Sequence, residues 1–294
     1  MRWKYEKLVK SRVQPYVQIK AFFDIYGAVS TFSVHSIYDE ATRPVMDSYS
    51  AEAYGYVFEA ALYFYIMAYC FAAAVIDSLF ISREHADGTV RNKIISGHSR
   101  ASVYLTELIV CTVTGLIMFI VNLAIISLPF LKFGIHGMDG WVTMRRIILI
   151  AVLIIVINAM FVLFSMLISS RASSMVWSIV FIIIMIVSSG LIQEKISGDL
   201  WSRNRREAGE YYNESEILSV TERKIYKAFD RILPTDQVLH TYDIDDYLTD
   251  YKDPSTVSQK KLNTALAGIC LLDAVTFAVV TTAGIALFRK KDLK

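Results

Sequence analysis

Charged residues are scarce in this chain of 294 residues: Asp, Glu, Lys and Arg make up 20% of it, against about 25% in an average soluble domain. The formal net charge of +2 is too small to indicate a nucleic-acid-binding protein. With only five prolines and 13 glycines, the chain is neither collagen-like nor of low complexity. Apolar residues make up 54% of it, and the mean hydropathy is +0.42. This composition excludes a disordered chain and indicates an integral membrane protein.

Cysteine is also scarce, and the three cysteines all lie inside apolar runs: Cys70, Cys111 and Cys270. Their odd number, and the absence of a CxxC pair or a histidine cluster beside them, argue against a disulfide framework and against a zinc site. We interpret them as small residues that face lipid or pack between helices.

Five long apolar segments predict an all-α, polytopic membrane protein. Each is long enough to cross a hydrocarbon core of about 30 Å, which takes about 20 helical residues. Helices are expected because every backbone group in lipid must be bonded within its own segment. The segments cover residues 56–81, 108–131, 147–169, 175–192 and 265–288. A weaker sixth candidate, residues 16–35, contains Lys20 and Asp24, which lie four residues apart on one helical face and can pair.

The basic residues predict the orientation, because loops rich in Lys and Arg stay in the cytoplasm. The 82–106 connection and the C-terminal RKKDLK are both basic, and so is the N-terminal segment. Six spans, with both termini in the cytoplasm, satisfy this pattern and place residues 193–263 in a long external loop. Lys132, Arg145 and Arg146 then lie outside, and we expect the two arginines to extend into the lipid headgroups.

Two segments outside the spans predict helices at the membrane surface. Residues 1–14 mix Trp3 and aliphatic side chains with basic ones, which is typical of an interfacial helix on the inner leaflet. They lack the apolar stretch of a signal peptide, so we expect no cleavage there. In the external loop, Ser219 and Glu222 fit a capping box. The amphipathic helix that follows is predicted to lie on the membrane or to cover the outer mouth of the bundle, and to stop at Pro234.

Acidic residues later in that loop could hold a cation. They lack the glycine and the terminal glutamate of an EF-hand, so a solvated loop is the favoured interpretation. The residues concerned are Asp243, Asp245, Asp246 and Asp250.

Few polar residues interrupt the predicted spans. Asp273 lies near the middle of the last span, where an ionised carboxylate costs on the order of 3 kcal/mol. It should therefore face the bundle, a subunit interface or water, and both a functional and a structural role remain open. Glu59 lies nearer the outer end of its span. Asn122 and Asn158 are interpreted as helix–helix hydrogen-bonding residues rather than substrate ligands.

Motifs for catalysis are absent from the sequence. It contains no GxxxxGK[ST] loop, no HExxH and no GxSxG, and its five histidines fall on opposite sides of the predicted membrane. We therefore expect no enzymatic activity, metal or cofactor in this chain.

The most informative stretch is REHADGTVRNKIISGHSRASVYLTEL, residues 83–108. Gly88 and Gly97 permit the sharp turns that would bound a short surface helix. Arg91, Lys93 and Arg100 then offer a basic face to an acidic groove on a partner. Glu84 is predicted to anchor one of the arginines. On charge alone, the stretch would be an ordinary positive-inside loop.

The order of residues in this stretch adds to that interpretation: Glu84, Gly88, Thr89, Val90, Arg91, Gly97, Ser99, Arg100, Val103, Tyr104 and Leu105. It resembles the cytoplasmic loop of the type-2 permeases of ATP-binding-cassette (ABC) transporters, and the rest of the chain matches that family in layout only. In that family the loop carries a coupling helix that docks into a groove on a separate ATPase subunit. The resemblance implies a coupling role for Glu84, Gly88, Thr89, Arg91, Gly97 and Arg100.

The resemblance implies the membrane-spanning subunit of an exporter in the bacterial cytoplasmic membrane. Two copies, or one copy and a related permease, would pair with two ATPase subunits, and ATP and magnesium would be bound by those partners alone. The alternative is a non-transporting sensor or assembly factor whose external part is residues 193–263. A secondary transporter is disfavoured, because inverted repeats and broken spans are missing. Peptides, drugs, lipids and ions all remain possible substrates.

Overall fold

Apolar runs and their polar continuations form long helices in the computed structural model, which describes residues 46–133, 140–168, 170–209, 211, 213–241, 244–248 and 257–291. The predicted interfacial helix 1–14 and the weak span 16–35 lie outside these residues. The long helices are α1 (Met46–Ala86), α3 (Arg100–Phe133), α4 (Gly140–Leu167), α5 (Arg171–Ala208) and α9 (Gln259–Lys290). Between them lie short helices: α2 (Thr89–Ile95), a 3-10 turn (Glu214–Glu216), α6 (Val220–Ile232), α7 (Pro234–Leu239) and α8 (Ile244–Leu248). Residues 55–294 form one compact unit, and all contacts below lie within it.

Five of these helices are long and apolar enough to cross a membrane. Each of the five strong predicted spans overlaps one of them, so the all-α prediction is confirmed for the described residues. The apolar parts are Ala61–Ala86, Arg100–Leu128, Gly140–Leu167, Ala172–Glu207 and Gln259–Lys290.

Helix α4 lies at the centre of the bundle. It packs against α3, α5 and α9, and its aliphatic side chains are buried on several sides. Leu149, Ile150, Leu153 and Ile154 have no exposed surface. By contrast, α3, α5 and α9 turn many large apolar side chains outward. In a membrane, this arrangement gives α4 protein neighbours and gives the outer helices a lipid-facing surface.

Close helix contacts are made where a glycine faces an aromatic side chain. A β-carbon at Gly284 of α9 would clash with the ring of Tyr104 of α3, and one at Gly115 of α3 would clash with the Tyr69 hydroxyl of α1. Both tyrosines are buried, so these glycines set the distance between neighbouring helices.

The secondary structure of residues 193–208 differs from the prediction, which placed them in a long external loop. Helix α5 continues through residues 193–208 and ends only at Gly209, whose φ of 74° is left-handed. The helix therefore extends beyond the predicted end of the span at residue 192, because polar residues end an apolar stretch without ending a helix. Beyond Gly209, the cap, which we define as helices α6 to α8 (residues 220–248), packs against α4, α5 and α9.

The capping box at the start of α6 is present as predicted. The Ser219 hydroxyl accepts a hydrogen bond from the backbone of Glu222, and the Glu222 carboxylate accepts one from the backbone of Ser219. Helix α6 ends at Ile232, and Pro234 begins α7, where its missing N–H is not needed.

Candidate functional site

Two glycine turns bound the short helix α2, as the sequence predicts. Gly88 has φ 71° and Gly97 has φ 100°, both in the left-handed region that glycine adopts at low cost. A β-carbon at either position would meet no atom within 4 Å, so the backbone conformation, not space, requires glycine there. Thr89 begins the helix, and the Ser99 hydroxyl accepts a hydrogen bond from the backbone of Ser102 at the start of α3.

Helix α2 has one face in the bundle and one face outside it. Val90 is buried, and Ile94 packs against a cluster that includes Ile81, Tyr104 and Phe288. Ile81 and Tyr104 come from α1 and α3, and Phe288 comes from the last turn of α9.

The opposite face of α2 is open. Arg91 and Ile95 lie four residues apart and are both exposed, Ile95 with 72% of its surface. These two side chains, one basic and one apolar, lie on the outward face of α2. Ile95 was not among the predicted coupling residues, although its sequence position places it one helical turn from Arg91.

Lys93 clamps α2 to the two helices beside it. Its ammonium lies 2.6 Å from the Glu84 carboxylate of α1 and 2.8 Å from the Glu107 carboxylate of α3. Burial lowers the pKa of Lys93, but the two carboxylates outweigh this and raise it above its ordinary value. Glu84 therefore anchors a lysine, where an arginine was predicted. Glu107, which is almost fully buried, was missed, although it stands beside an apolar run in the sequence.

Arg100 is occupied within the chain. Its guanidinium donates to the carbonyl oxygens of Arg289, at 2.7 Å, and Lys291, at 2.6 Å, at the C-terminal end of α9. The Lys291 ammonium in turn donates to the carbonyl of Met166, at 2.8 Å, in the last turn of α4. Burial lowers the pKa of Lys291 to about 8. Cations at helix C-termini are favourable there, so this end of the bundle is held by two of them.

The predicted coupling residues Glu84, Gly88, Thr89, Arg91, Gly97 and Arg100 thus meet at one end of the bundle. Of the three basic side chains predicted to face a partner, Lys93 and Arg100 bind their own chain. Arg91 is the exposed one. Glu59 belongs to α1, but its side chain lies outside the described residues.

Asp273 lies at a second polar site, near the middle of α9. It is buried, and its Oδ1 atom accepts a hydrogen bond of 2.9 Å from the side-chain amide of Gln237 in α7. Among the described residues, its other oxygen has no hydrogen-bond donor, and neither do Oδ2 of Asp236 and Oε1 of Gln237. Asp273 was predicted to face the bundle, a subunit interface or water; in the structure it contacts Gln237 of the cap.

Two more buried groups adjoin this site. Asp230 of α6 lies 2.9 Å from His240, whose ring stacks on Tyr247 with 4.2 Å between centroids. Gln193 of α5 contacts both Asp230 and His240. Burial, and then the nearby Asp230 carboxylate, raise the pKa of Asp236 to about 6. The site is rich in acceptors and poor in donors.

Two buried arginines join the cap to α4. Arg145 forms a two-pronged ion pair with Asp245 of α8, at 2.8 and 2.6 Å, and also donates to Gln259 of α9. Arg146 donates to the Thr241 carbonyl. The prediction that both arginines extend into headgroups was wrong, because partners more than 90 residues away in sequence bury them. Asp245 belongs to this ion pair, which corrects the solvated-loop prediction for that residue, while Asp243 and Asp250 lie outside the described residues.

Between the α2 end of the bundle and the cap, polar side chains on different long helices form hydrogen bonds with each other. Asn158 of α4 and the Tyr69 hydroxyl of α1 exchange hydrogen bonds of 2.8 and 3.0 Å, which confirms the helix–helix role predicted for Asn158. Asp77 of α1 is buried beside the Cys111 thiol of α3. Asp77 was not among the predicted polar residues of the spans, although it lies inside the predicted span 56–81. Cys70 is buried, consistent with packing between helices.

In the part of the chain that the structure describes, no group of three or more His, Cys, Asp or Glu side chains is arranged to hold a metal ion. Comparison of the chain with protein-family models, curated proteins and solved structures finds no match in any of the three.

Proposed function

We propose that this chain is the membrane-spanning permease subunit of an ABC exporter of the type-2 class. The observation that carries the proposal is helix α2, which turns its Arg91 and Ile95 side chains outward at the end of a bundle of apolar helices. In this proposal α2 and both termini lie in the cytoplasm of a bacterial cell. Two permease subunits, identical or related, pair with two ATPase subunits that bind ATP and magnesium.

The contacts of α2 support a mechanical role in that proposal. A partner that pushes on Arg91 and Ile95 also moves Val90 and Ile94, which are packed against α1, α3 and α9. The Lys93 ammonium adds ionic links to α1 and α3. A conformational change of the ATPases would thereby bias the bundle between two arrangements, to the extent that the partner binds one of them more tightly.

Co-purification of a tagged permease with the ATPase encoded beside it tests the docking face. Arg91→Glu combined with Ile95→Asp should place like charge and an unpaired polar group at the contact, weakening the complex by more than about 30-fold. Arg206→Glu, a charge reversal of an exposed arginine at the end of α5, serves as the matched control and should leave the complex intact. Full retention of the ATPase by the double variant would refute the docking face.

Labelling of single cysteines tests the orientation. In a background without Cys70, Cys111 and Cys270, an impermeant thiol reagent should label Tyr211→Cys in intact cells, since Tyr211 is 90% exposed. His98→Cys, on the exposed turn after α2, should be labelled only after permeabilisation. The reverse pattern would place α2 outside and exclude contact with a cytoplasmic ATPase.

The packing of the cap favours a second candidate function. Gln237 of the cap donates a hydrogen bond to Asp273 of α9, so a change at the cap could be transmitted to the helical bundle. A non-transporting sensor or assembly factor would use that contact. A chain that works without any ATPase, while α2 variants remain active, would favour this function.

A further inference from the structure

Helix α6 contacts the protein through polar side chains. Asp230 is buried, and Arg223 reaches the Asp199 carboxylate of α5 at 3.4 Å. The apolar side chains Ile225, Phe229 and Ile232 project the other way, with 50%, 52% and 45% of their surfaces exposed. A surface helix of a soluble protein packs its apolar side against the core and leaves its polar side in water. Helix α6 has the opposite arrangement.

The C-terminal end of α6 lies beside the apolar parts of the long helices. Three residues after Ile232, the Thr235 hydroxyl lies 2.6 Å from the Ser189 hydroxyl of α5. Two residues further, Gln237 reaches Asp273, about 21 Å along α9 from its first residue at 1.5 Å per residue. Both contacts fall within the candidate spans.

The exposed end of α6 lies at the same level as exposed apolar side chains of α5. Val187 and Leu191, on the side of α5 opposite Ser189, are 57% and 60% exposed. Because α5 is a candidate span, these two side chains face lipid in a membrane, and the end of α6 lies at the same depth.

Two exposed basic residues, Lys224 and Arg231, lie along one border of the apolar side of α6. Helices of this pattern lie in the plane of a membrane interface, with apolar side chains among the acyl chains and basic ones at the phosphates. A second copy of the chain fits less well, because a two-fold contact between two α6 helices would bring these like charges together.

We propose that α6 is an interfacial helix that binds an anionic lipid surface: Ile225, Phe229 and Ile232 insert among acyl chains, while Lys224 and Arg231 contact the headgroup phosphates. The inference requires only that the long helices span a membrane, and it holds whether or not the chain is a transporter subunit. It makes the cap a membrane-bound structure, where the sequence suggested either a surface helix or a lid over the bundle.

Quenching by brominated lipid tests the insertion. A single tryptophan is placed at Phe229, in a full-length chain whose native Trp3, Trp141, Trp177 and Trp201 are replaced by Phe. The protein is reconstituted in vesicles of phosphatidylcholine and phosphatidylglycerol at 3:1, with brominated acyl chains. Phe229→Trp should be quenched as strongly as Leu191→Trp on α5, while Tyr211→Trp should be quenched no more than free tryptophan. Quenching of Phe229→Trp no stronger than that of Tyr211→Trp would overturn the proposal.

The headgroup contact has its own test. At equal mole fraction, brominated phosphatidylglycerol should quench Phe229→Trp more than brominated phosphatidylcholine does. This preference should fall by about fivefold for each basic side chain neutralised, as in Lys224→Gln. Equal quenching by the two lipids would refute the anionic preference.

Spin labelling covers the case in which the tryptophan-free chain does not fold. Phe229→Cys, labelled with a nitroxide in a background without the native cysteines, should be more accessible to oxygen than to a water-soluble nickel complex. The reverse order would refute the insertion. Dipolar broadening between labels on two chains would identify a second copy as the occupant instead and overturn the proposal.

Discussion

The two ends of the helical bundle differ in how their buried charged side chains are paired. At the α2 end, Lys93 lies between two carboxylates, and the Arg100 and Lys291 side chains bind helix C-termini. At the cap, Asp236 and Asp273 are buried with one oxygen each that no described residue donates to. Lys93, Arg100 and Lys291 thus each have an acceptor within the chain, whereas the carboxylates beside the cap have too few donors, and burial favours the protonated form of Asp236.

Among the variants that test this difference between the two ends, Arg145→Met is expected to lose the most stability. Arg145→Met leaves Asp245 without the ion pair that joins the cap to α4, and loss of one partner from a buried pair costs about 3–5 kcal/mol. The thermal midpoint in detergent should fall, and hydrogen exchange should accelerate in α8 but not in α2. Arg206→Met, which removes an exposed arginine, is the control. Equal exchange in α2 and α8 would show that the two ends are not independent.

The pH dependence of the cap comes next in size. Because the pKa of Asp236 is raised from its ordinary 3.8 to about 6, its contribution to stability is fully present below pH 4 and is lost as the pH rises through 6. The difference between these two pKa values corresponds to roughly 3 kcal/mol. Asp236→Asn should match the wild type near pH 4 and exceed its thermal midpoint above pH 6. If the thermal midpoints of the two proteins change in parallel over this pH range, the raised pKa of Asp236 is contradicted.

A smaller and more local effect is expected at Lys93. Lys93→Met removes the clamp, and since the ammonium is about one third exposed, the loss should be about 1.5 kcal/mol. Hydrogen exchange should accelerate in α2 while α6 to α8 stay protected. The double variant Lys93→Met/Glu107→Gln should lose less than the sum of the two single variants, because it removes both charges. Strict additivity would mean that the clamp does not couple α2 to α3.

The smallest effect concerns the turn after α2. Gly97→Ala forces a β-carbon into a left-handed conformation, at a cost of about 1 kcal/mol. The amides of α2 should exchange faster by about fivefold, with no change in the cap. Gly190→Ala, at a helical glycine of α5 with open space around it, should be neutral or stabilising. Equal behaviour of the two variants would show that φ at Gly97 does not constrain α2.

Local features of this fold could be predicted from the sequence because their causes are local. The turns at Gly88 and Gly97, the capping box at Ser219 and the five apolar helices each depend on residues within a few positions of one another. For the same reason, the placement of α2 between two turns was correct.

Partners distant in sequence could not be predicted. Arg145 and Asp245 are 100 residues apart, and Gln237 and Asp273 are 36 apart. The spacing of apolar residues along a helix does not show which helices pack together. Arg145 was therefore predicted to lie at the membrane surface, although it is buried. Asp77 is a different case: it lies in a predicted span, and the cost of a charge in lipid was reason enough to single it out.

The contact of Arg100 with the end of α9 bears on how the protein is made. Its acceptors lie 188 to 191 residues later in the chain, and Phe288, which packs against the same cluster as Ile94, lies there too. Until residues 288–291 have been synthesised, α2 lacks its support from α9. The packing of α2 is therefore completed late in folding, when two segments far apart in the chain come together.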